Sequence, residues 1–419
     1  MIISRQFNHH HYALRLNRKV QAINVKEDNI TLLRVYRRKK LFGKNSIKIL
    51  TIFGTRPEAI KMAPVIKALQ TDSDFKLKTV VTAQHREMLD QVLKIFKINP
   101  DYDLNIMIPG QSLTEITCRV LQGLSPILKT EEPDIILVHG DTTTTFAGSL
   151  AAFYHHIKIG HIEAGLRTGD KKQPYPEEMN RLLTGRITDL HFAPTISAKK
   201  NLLQENITPD SIFITGNTVI DALYYCLKAL PETISINEEK QWILVTAHRR
   251  ESWGPPLERI ITALIRIIKD NPRVNLLVPV HLNPVIREIF FKQLGAEPRI
   301  KIVEPLSYEE MIKAMVQAYL VITDSGGIQE EAPSLGKPVL VLREKTERPE
   351  AVAAGTVKLV GTDPDKIYNT ANTLLNNREE YMKMSKAVNP YGDGKATIRI
   401  INILRNYFGL KCEKPVDFV

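Results

Sequence analysis

Three carboxylates and a histidine in this chain have the right types and placement for acid/base work. Glu163 closes the apolar run IKIGHIEA, with Arg167 four residues further on. Glu177 and Glu178 follow a proline-rich stretch, QPYPEEMNR. Asp141 closes DIILVHGD, and His248 stands in TAHRRES, just after the run QWILV. Carboxylates and imidazole at strand ends can give and take protons on a bound substrate. Arg167 reads as an orienting partner for the glutamates. Asp141 with His139 lacks the ligand spacing of a known metal site, and no metal is expected. The run Thr142 to Thr145 reads as the cap of the next helix. A single acid after a strand is more often a cap than a catalyst, but recurrence of such groups at many strand ends favours chemistry.

A second group of residues suits an anion. In TDSGGIQEE, Ser325, Gly326 and Gly327 put small residues and bare N–H groups at a helix start, where the dipole favours an anion such as diphosphate. Two glycines let the backbone approach phosphate closely. Glu330 and Glu331 come one turn later, where a carboxylate would accept from both hydroxyls of a ribose. Arg56 in GTRPE offers a planar fork of donors, Arg249 is a second candidate, and Lys61 adds a point charge one turn beyond Arg56. Neither GxxxxGK[ST] nor GxGxxG occurs, which excludes a P-loop and argues against a nicotinamide cofactor.

These residues need elements to position them. From Ile47 onward, apolar runs of strand length alternate with helical patterns. SIKILTIFG, KLKTVVTA, DIILVHG, IKIGHIEA, LHFAPT and SIFITG read as one set of strands, and QWILVTAHRR, VNLLVPVH, IKIVEP, YLVITDS and KPVLVLRE as another. Continuous β-branched runs between helices predict parallel strands buried on both faces. Pro57 suits a first helical turn, and Pro64 predicts a kink. The expected fold is α/β, with two Rossmann-like doubly wound domains facing a cleft. The expected divisions are a basic, poorly ordered extension over 1–46, a first domain over 47–215, a second over 216–390, and a C-terminal helix over 391–419 that crosses back to the first. Ligands of such sheets bind beyond the carboxyl ends of the strands. Seven polar clusters fall there, and they converge on the interdomain cleft.

Composition narrows the class. The 419 residues are 43% hydrophobic and 25% charged, near globular averages. No apolar run approaches the roughly 18–20 residues needed to cross a bilayer, so no membrane insertion is expected. Cys118, Cys226 and Cys412 are far apart and form no CxxC pair, which fits a reducing cytoplasm. Net charge is +11, but residues 1–46 hold eleven Lys/Arg against Glu27 and Asp28. The remaining chain is almost neutral, so the balance gives no ground for a nucleic-acid partner. The triplet His9, His10 and His11 reads as incidental, and the extension lacks the apolar core of a secretory signal.

The motifs FGTRPEAIKMAP, TAQHREMLDQ, VHGDTTTT, HIEAGLRTGD, PEEMNR, ITGNTVIDAL, TAHRRES, PVHLNP, TDSGGIQEEAPSLGKPVLVLRE, TERPEA and NPYGDG occur in that order. From about residue 47 to the C-terminus the chain resembles the bacterial non-hydrolysing UDP-N-acetylglucosamine 2-epimerases. The resemblance implies a glycosyltransferase-B-like fold, with a second domain that binds UDP, and a homodimer. It also implies cytoplasmic interconversion of UDP-GlcNAc and UDP-ManNAc without a cofactor, supplying cell-surface polysaccharide synthesis. It places Asp141, Glu163, Glu177 and His248 at catalytic positions. Arg56, Ser325, Gly326 and Glu331 match contacts to UDP, with His248 also near the diphosphate. Gln84, Arg119 and His281 match a second, activating UDP-GlcNAc site found in some members. Residues 1–46 have no family counterpart, and Met311 stands where members often carry an aromatic near uracil.

The chemistry explains the residue types. The C2 proton of an N-acetylhexosamine is not next to a carbonyl, so a carboxylate of ordinary pKa cannot simply remove it. Loss of UDP from C1 together with that proton gives an unsaturated sugar, 1,2- rather than 2,3-unsaturated, and re-addition with protonation on the other face gives the epimer. Which carboxylate serves which face stays open at this level. So do a hydrolysing epimerase, a glycosyltransferase of the same fold, a modified UDP-GlcNAc as substrate, and a nucleotide-sugar-binding regulator.

Overall fold

The computed structural model describes residues 46–418 apart from 231–240, 248, 250–252, 281–282 and 347. All of the expected 1–46 extension except Ser46, the polar linker between the two strand series, His248 and His281 therefore lie outside the described residues.

The first sheet has seven parallel strands: β1 (Ile47–Phe53), β2 (Phe75–Val81), β3 (Tyr102–Asp103), β4 (Ile135–His139), β5 (Lys158–Ile162), β6 (Leu190–Ala193) and β7 (Ile212–Ile214). Their spatial order is β3-β2-β1-β4-β5-β6-β7. The second has six parallel strands: β8 (Gln241–Thr246), β9 (Val274–Pro279), β10 (Ile300–Val303), β11 (Leu320–Thr323), β12 (Val339–Val341) and β13 (Val357–Leu359). Their order is β10-β9-β8-β11-β12-β13. The expected α/β architecture with two doubly wound sheets is what the chain adopts. β3 and β13 are additions to the strands read from sequence; each is short and carries a charged residue, Asp103 and Lys358, that breaks the apolar run. In each sheet the order reverses between the first and fourth strands, β1/β4 and β8/β11, which opens a crevice at their carboxyl ends.

The apolar runs are buried as continuous strands require. In β4 every residue from Ile135 to His139 is buried, and in β11 every residue from Leu320 to Thr323. Helix Arg56–Thr71 carries Pro57 in its first turn, runs unbroken through Pro64, and buries Met62, Ala63, Val65 and Ile66. Helix Thr218–Ala229 connects the lobes. It packs on helix Arg56–Thr71 from the first sheet and on helices Tyr308–Gln317 and Gly326–Ser334 from the second. One apolar cluster accordingly runs from Ile66 and Leu69 through Val219 and Leu223 to Ile312 and Ile328.

Helix Ala396–Tyr407 packs on both helix Arg56–Thr71 and helix Thr218–Ala229. Its start is held by Asp221, which accepts from the Thr397 and Ala396 amides at 2.8 and 3.2 Å. Its end is held by Arg405, which donates to Asp72 at 2.6 Å. Among the described residues, no helix is long and apolar enough to cross a membrane.

Candidate active site

The site is built where β1 and β4 diverge. Glu58, in the first turn of helix Arg56–Thr71, accepts from the amides of Gly54 and Thr55 at 3.0 and 2.7 Å. It also accepts from the hydroxyls of Thr142 and Thr145 at 2.6 and 2.9 Å. One buried carboxylate thus ties the turn after β1 to the turn after β4. Thr142 caps helix Thr143–Tyr154, accepting from the Thr145 amide at 3.1 Å. Gly140 sits between β4 and this cap with φ +68°, a conformation that suits glycine. The carbonyl of Gly140 accepts from His161 Nε2 at 2.7 Å, which fixes the tautomer of that ring. Burial pushes the His161 pKa down to about 3, so the ring is neutral.

Asp141, next in the chain, receives Arg181 Nη2 at 2.7 Å. Burial pushes its pKa up to about 6; Arg181 opposes the rise, and the charges of Glu163 and Glu177 add to it. A carboxyl poised there can carry or accept a proton near neutral pH. Neighbouring Glu178 is buried and accepts from the amides of Thr168 and Gly169 at 3.1 and 3.0 Å, which holds the loop leading into helix Glu177–Ile187.

Glu163, the first residue past β5, has φ +64°, an uncommon conformation for a side chain of its size. Its Oε2 accepts from Lys61 Nζ and from Asn217 Nδ2, the latter at 2.8 Å, and lies 3.9 Å from His139 Nε2. Burial is the largest single influence and would raise the Glu163 pKa, but the groups around it, Lys61 foremost, together hold the carboxyl well below the usual range. His139 is buried, and its pKa falls to about 4 for that reason. Lys61 also lies 3.7 Å from Glu330, which accepts from Arg348 Nε at 2.7 Å and Asn217 Nδ2 at 3.3 Å. Two acids and two bases, drawn from both lobes, therefore meet around Asn217.

Two cavities, each of about 430 Å³, adjoin this cluster. The first is lined by Asp141, Glu163 and Glu177 together with Gln84 and His139. The second is lined by Arg56, Ser325, Gly327 and Glu331, with an apolar wall that includes Val280, Leu306 and Met311. Pro57 and Lys61 line both. Glu331 accepts from the Tyr308 hydroxyl at 2.9 Å. Burial pushes its pKa up to about 7, the charge of Glu330 adds to the rise, and the Tyr308 bond, Lys61 and Arg56 oppose it. Burial lowers the Arg56 pKa from its ordinary value, with Glu331 pulling the other way. Gly326 lies under Arg348; a β-carbon there would stand 2.6 Å from Arg348 Nη1.

The structure brings most of the sequence candidates together, with some differences. Arg167 does not orient the glutamates of the cavity; it makes a two-pronged pair with Glu205 at 2.6 and 2.9 Å. Lys61, expected as a point charge for phosphate, is engaged with carboxylates. Gln84 accepts from Thr144 Oγ1 at 3.0 Å. Arg119 donates to Gln111 at 2.8 Å and lines neither cavity. Among the described residues no group of three or more His, Cys, Asp or Glu could hold a metal ion. Asn217, Glu330 and Arg348 had no assigned place in the acid/base set. Asn217 follows β7 closely and could have been found by extending the strand-end rule, whereas Arg348 lies seven residues beyond β12 and carried no such signal.

Comparison with known proteins points to one family. The sequence model of the family described as UDP-N-acetylglucosamine 2-epimerase matches residues 67–405. The UDP-N-acetylglucosamine 2-epimerase of Salmonella typhimurium is 56% identical over 372 residues, 86% of this chain and 99% of the relative. The crystal structure of UDP-GlcNAc 2-epimerase from Neisseria meningitidis bound to UDP-GlcNAc superposes with a TM-score of 0.80 at 50% identity, covering 86% of this chain and 100% of that one. The Methanocaldococcus jannaschii UDP-GlcNAc 2-epimerase in complex with UDP-GlcNAc and UDP gives 0.72 at 35% identity, over 86% and 100% of the two chains.

Proposed function

This chain belongs to the UDP-N-acetylglucosamine 2-epimerase family, and from that premise we propose that it interconverts UDP-GlcNAc and UDP-ManNAc without net hydrolysis. The observation that carries the reading is the pair of cavities sharing Lys61. One holds three carboxyl groups, and the other holds the guanidinium, glycine and helix-start groups suited to a nucleoside diphosphate. A UDP-sugar spanning both would place its anomeric carbon near their common wall.

The reaction then proceeds by elimination. A carboxylate removes the C2 proton, the C–H electrons form the C1=C2 bond, and the C1–O bond breaks with its electrons passing to UDP. UDP adds back to C1 as a second carboxyl group protonates the opposite face of C2. Arg56 and the helix start at Ser325 stabilise the charge that develops on the leaving diphosphate, the largest contribution to expect in a water-poor site. Glu163, Asp141 and Glu177 supply the acid and base, with His248 assigned to the diphosphate side by its motif. Glu331 receives the ribose hydroxyls. Retention of UDP between the two steps keeps the reaction from becoming hydrolysis. Exposed Phe153, Tyr154 and Leu183, on helices that pack side by side, offer an apolar face for a second copy of the chain. We assign the enzyme to the cytoplasm, with its product entering cell-surface polysaccharide synthesis.

Proton NMR of UDP-GlcNAc in heavy water tests this. The expected result is a mixture of two UDP-sugars with deuterium at C2. Release of free ManNAc would indicate a hydrolysing enzyme, and an unlabelled sugar would overturn the elimination route.

A further inference from the structure

The pairing of Glu163 with Lys61 poses a difficulty for the proposed reaction. A buried carboxylate bonded to an ammonium is a poor base, because accepting a proton strands the ammonium without its partner. Lys61 is itself buried, and its pKa is raised: burial pulls it down, but Glu163 and Glu330 more than compensate. The pair is therefore firmly ionised. Yet Lys61 lines the nucleotide-side cavity as well as the carboxylate-side one, so a diphosphate bound beside Arg56 and Ser325 competes for the same ammonium.

We propose that Lys61 is a charge-operated switch. It neutralises Glu163 until a diphosphate binds, and then turns to the diphosphate and releases Glu163 to act as the base. The idea rests on the UDP-sugar reading above and specifies how that site would be regulated. Two features of the geometry and one of the chemistry fit. Glu330, 3.7 Å from Lys61 and fixed by Arg348, anchors the ammonium at the junction of the cavities so that it need only pivot. Asn217 Nδ2 already bonds both Glu163 and Glu330, so Glu163 keeps a neutral donor when Lys61 leaves. Charge developing on UDP as C1–O breaks attracts Lys61 more strongly, which couples departure of the leaving group to proton removal.

The groups facing Glu163 are Lys61 from helix Arg56–Thr71, His139 from β4, Asp141 from the turn after it, Asn217 from the inter-lobe connection, and Arg348 with Glu330 from the second lobe. His139 and Asn217 carry no charge that could replace that of Lys61.

Two measurements test the switch on the full chain. In a crystal structure with UDP, Lys61 Nζ is expected within about 3.2 Å of a phosphate oxygen and beyond about 4 Å from Glu163. An intact Lys61–Glu163 pair with UDP bound would overturn the proposal. In carbon-13 NMR of side-chain-labelled glutamate, with the Glu163 signal identified by its loss in Glu163→Gln, saturating UDP should raise the Glu163 midpoint by about one unit or more. Uridine should leave it unmoved. Lys61→Met should raise the midpoint before UDP is added and abolish most of the response to UDP. A shift equal with uridine, or equal in Lys61→Met, would overturn the switch. If Lys61→Met does not fold, the parent with UDP against uridine still decides. Turnover without a Glu163 shift would remove the switch and leave the epimerase reading intact. A shift without turnover would do the reverse, and failure of UDP to bind would remove both.

Discussion

Asp141→Asn offers a perturbation whose size follows from the structure. The Asp141 carboxyl moves from 3.8 to about 6 because burial outweighs the pull of Arg181. A rise of about two units corresponds to about 3 kcal/mol against the ionised form. Its side chain is 28% exposed, so screening by water reduces this to about 1–2 kcal/mol. The sign is set by linkage. The unfolded chain loses this proton near pH 4 and the folded chain keeps it to about pH 6, so this contribution to stability is present below pH 4 and is lost as pH rises to 6. Asn cannot ionise. The stability of the variant relative to the parent should therefore climb by about 1–2 kcal/mol between roughly pH 4 and 6 and then level off. Loss of the Arg181 partner sets the height of that curve, not its slope. Melting temperatures of both proteins across this range measure it. Turnover followed by NMR should fall about 10²–10⁴-fold, the usual range for a lost acid or base. An ionisation near pH 6 in the parent's rate profile should vanish in the variant. If the parent's rate declines above pH 6, Asp141 acts as the acid; if it declines below, as the base. Parallel melting curves, or a variant within tenfold of parent turnover, would rule out this role for Asp141.

Glu163→Gln should abolish epimerisation while the chain stays folded, because Glu330 remains 3.7 Å from Lys61 to hold the ammonium. The expected loss of stability is about 1–3 kcal/mol, below that for a fully stranded buried charge, and denaturation alongside turnover checks both parts. UDP affinity by calorimetry should rise as pH passes upward through about 7, where Glu331 becomes a full acceptor for the ribose. Glu331→Gln should flatten that dependence. Gly326→Ala places a methyl 2.6 Å from Arg348 Nη1 and crowds the helix start, so UDP should bind roughly tenfold more weakly with the fold intact.

The fold was largely legible because its strands are buried on both faces, and continuous β-branched runs such as DIILVH and LVIT leave little other interpretation. β3 and β13 escaped because YD and VKL interrupt any apolar run with a charge, whereas the comparably short β7 and β12 (IFI and VLV) are wholly apolar. The carboxylate-side cavity was legible for a different reason: the doubly wound order places strand ends together, so Asp141 after β4 and Glu163 after β5 had to be neighbours. Pairing preferences were not legible. Arg167 stands four residues from Glu163, yet the chain turns and its guanidinium meets Glu205, 38 residues later. Glu330 and Arg348 pair although Arg348 lies beyond β12 and Glu330 in helix Gly326–Ser334, a partnership that no local spacing signals.

The cluster around Asn217 is costly for a folded chain to maintain. Glu163, Lys61, Glu330 and Arg348 are largely withdrawn from water, and buried ion pairs are commonly no better for stability than well-packed apolar groups of the same size. Glu163 adds a left-handed backbone at a position where glycine would be relaxed. Stability therefore gives no reason for such an arrangement, whereas chemistry does. A base that must stay silent until its leaving group is in place requires a counter-ion able to change partners. Only a residue on the wall between the two cavities can do that, and among the described residues Lys61 is the cation lining both. The apolar cluster joining helices Arg56–Thr71, Thr218–Ala229 and Gly326–Ser334, two of which carry Lys61 and Glu330, supplies the packing that offsets the cost.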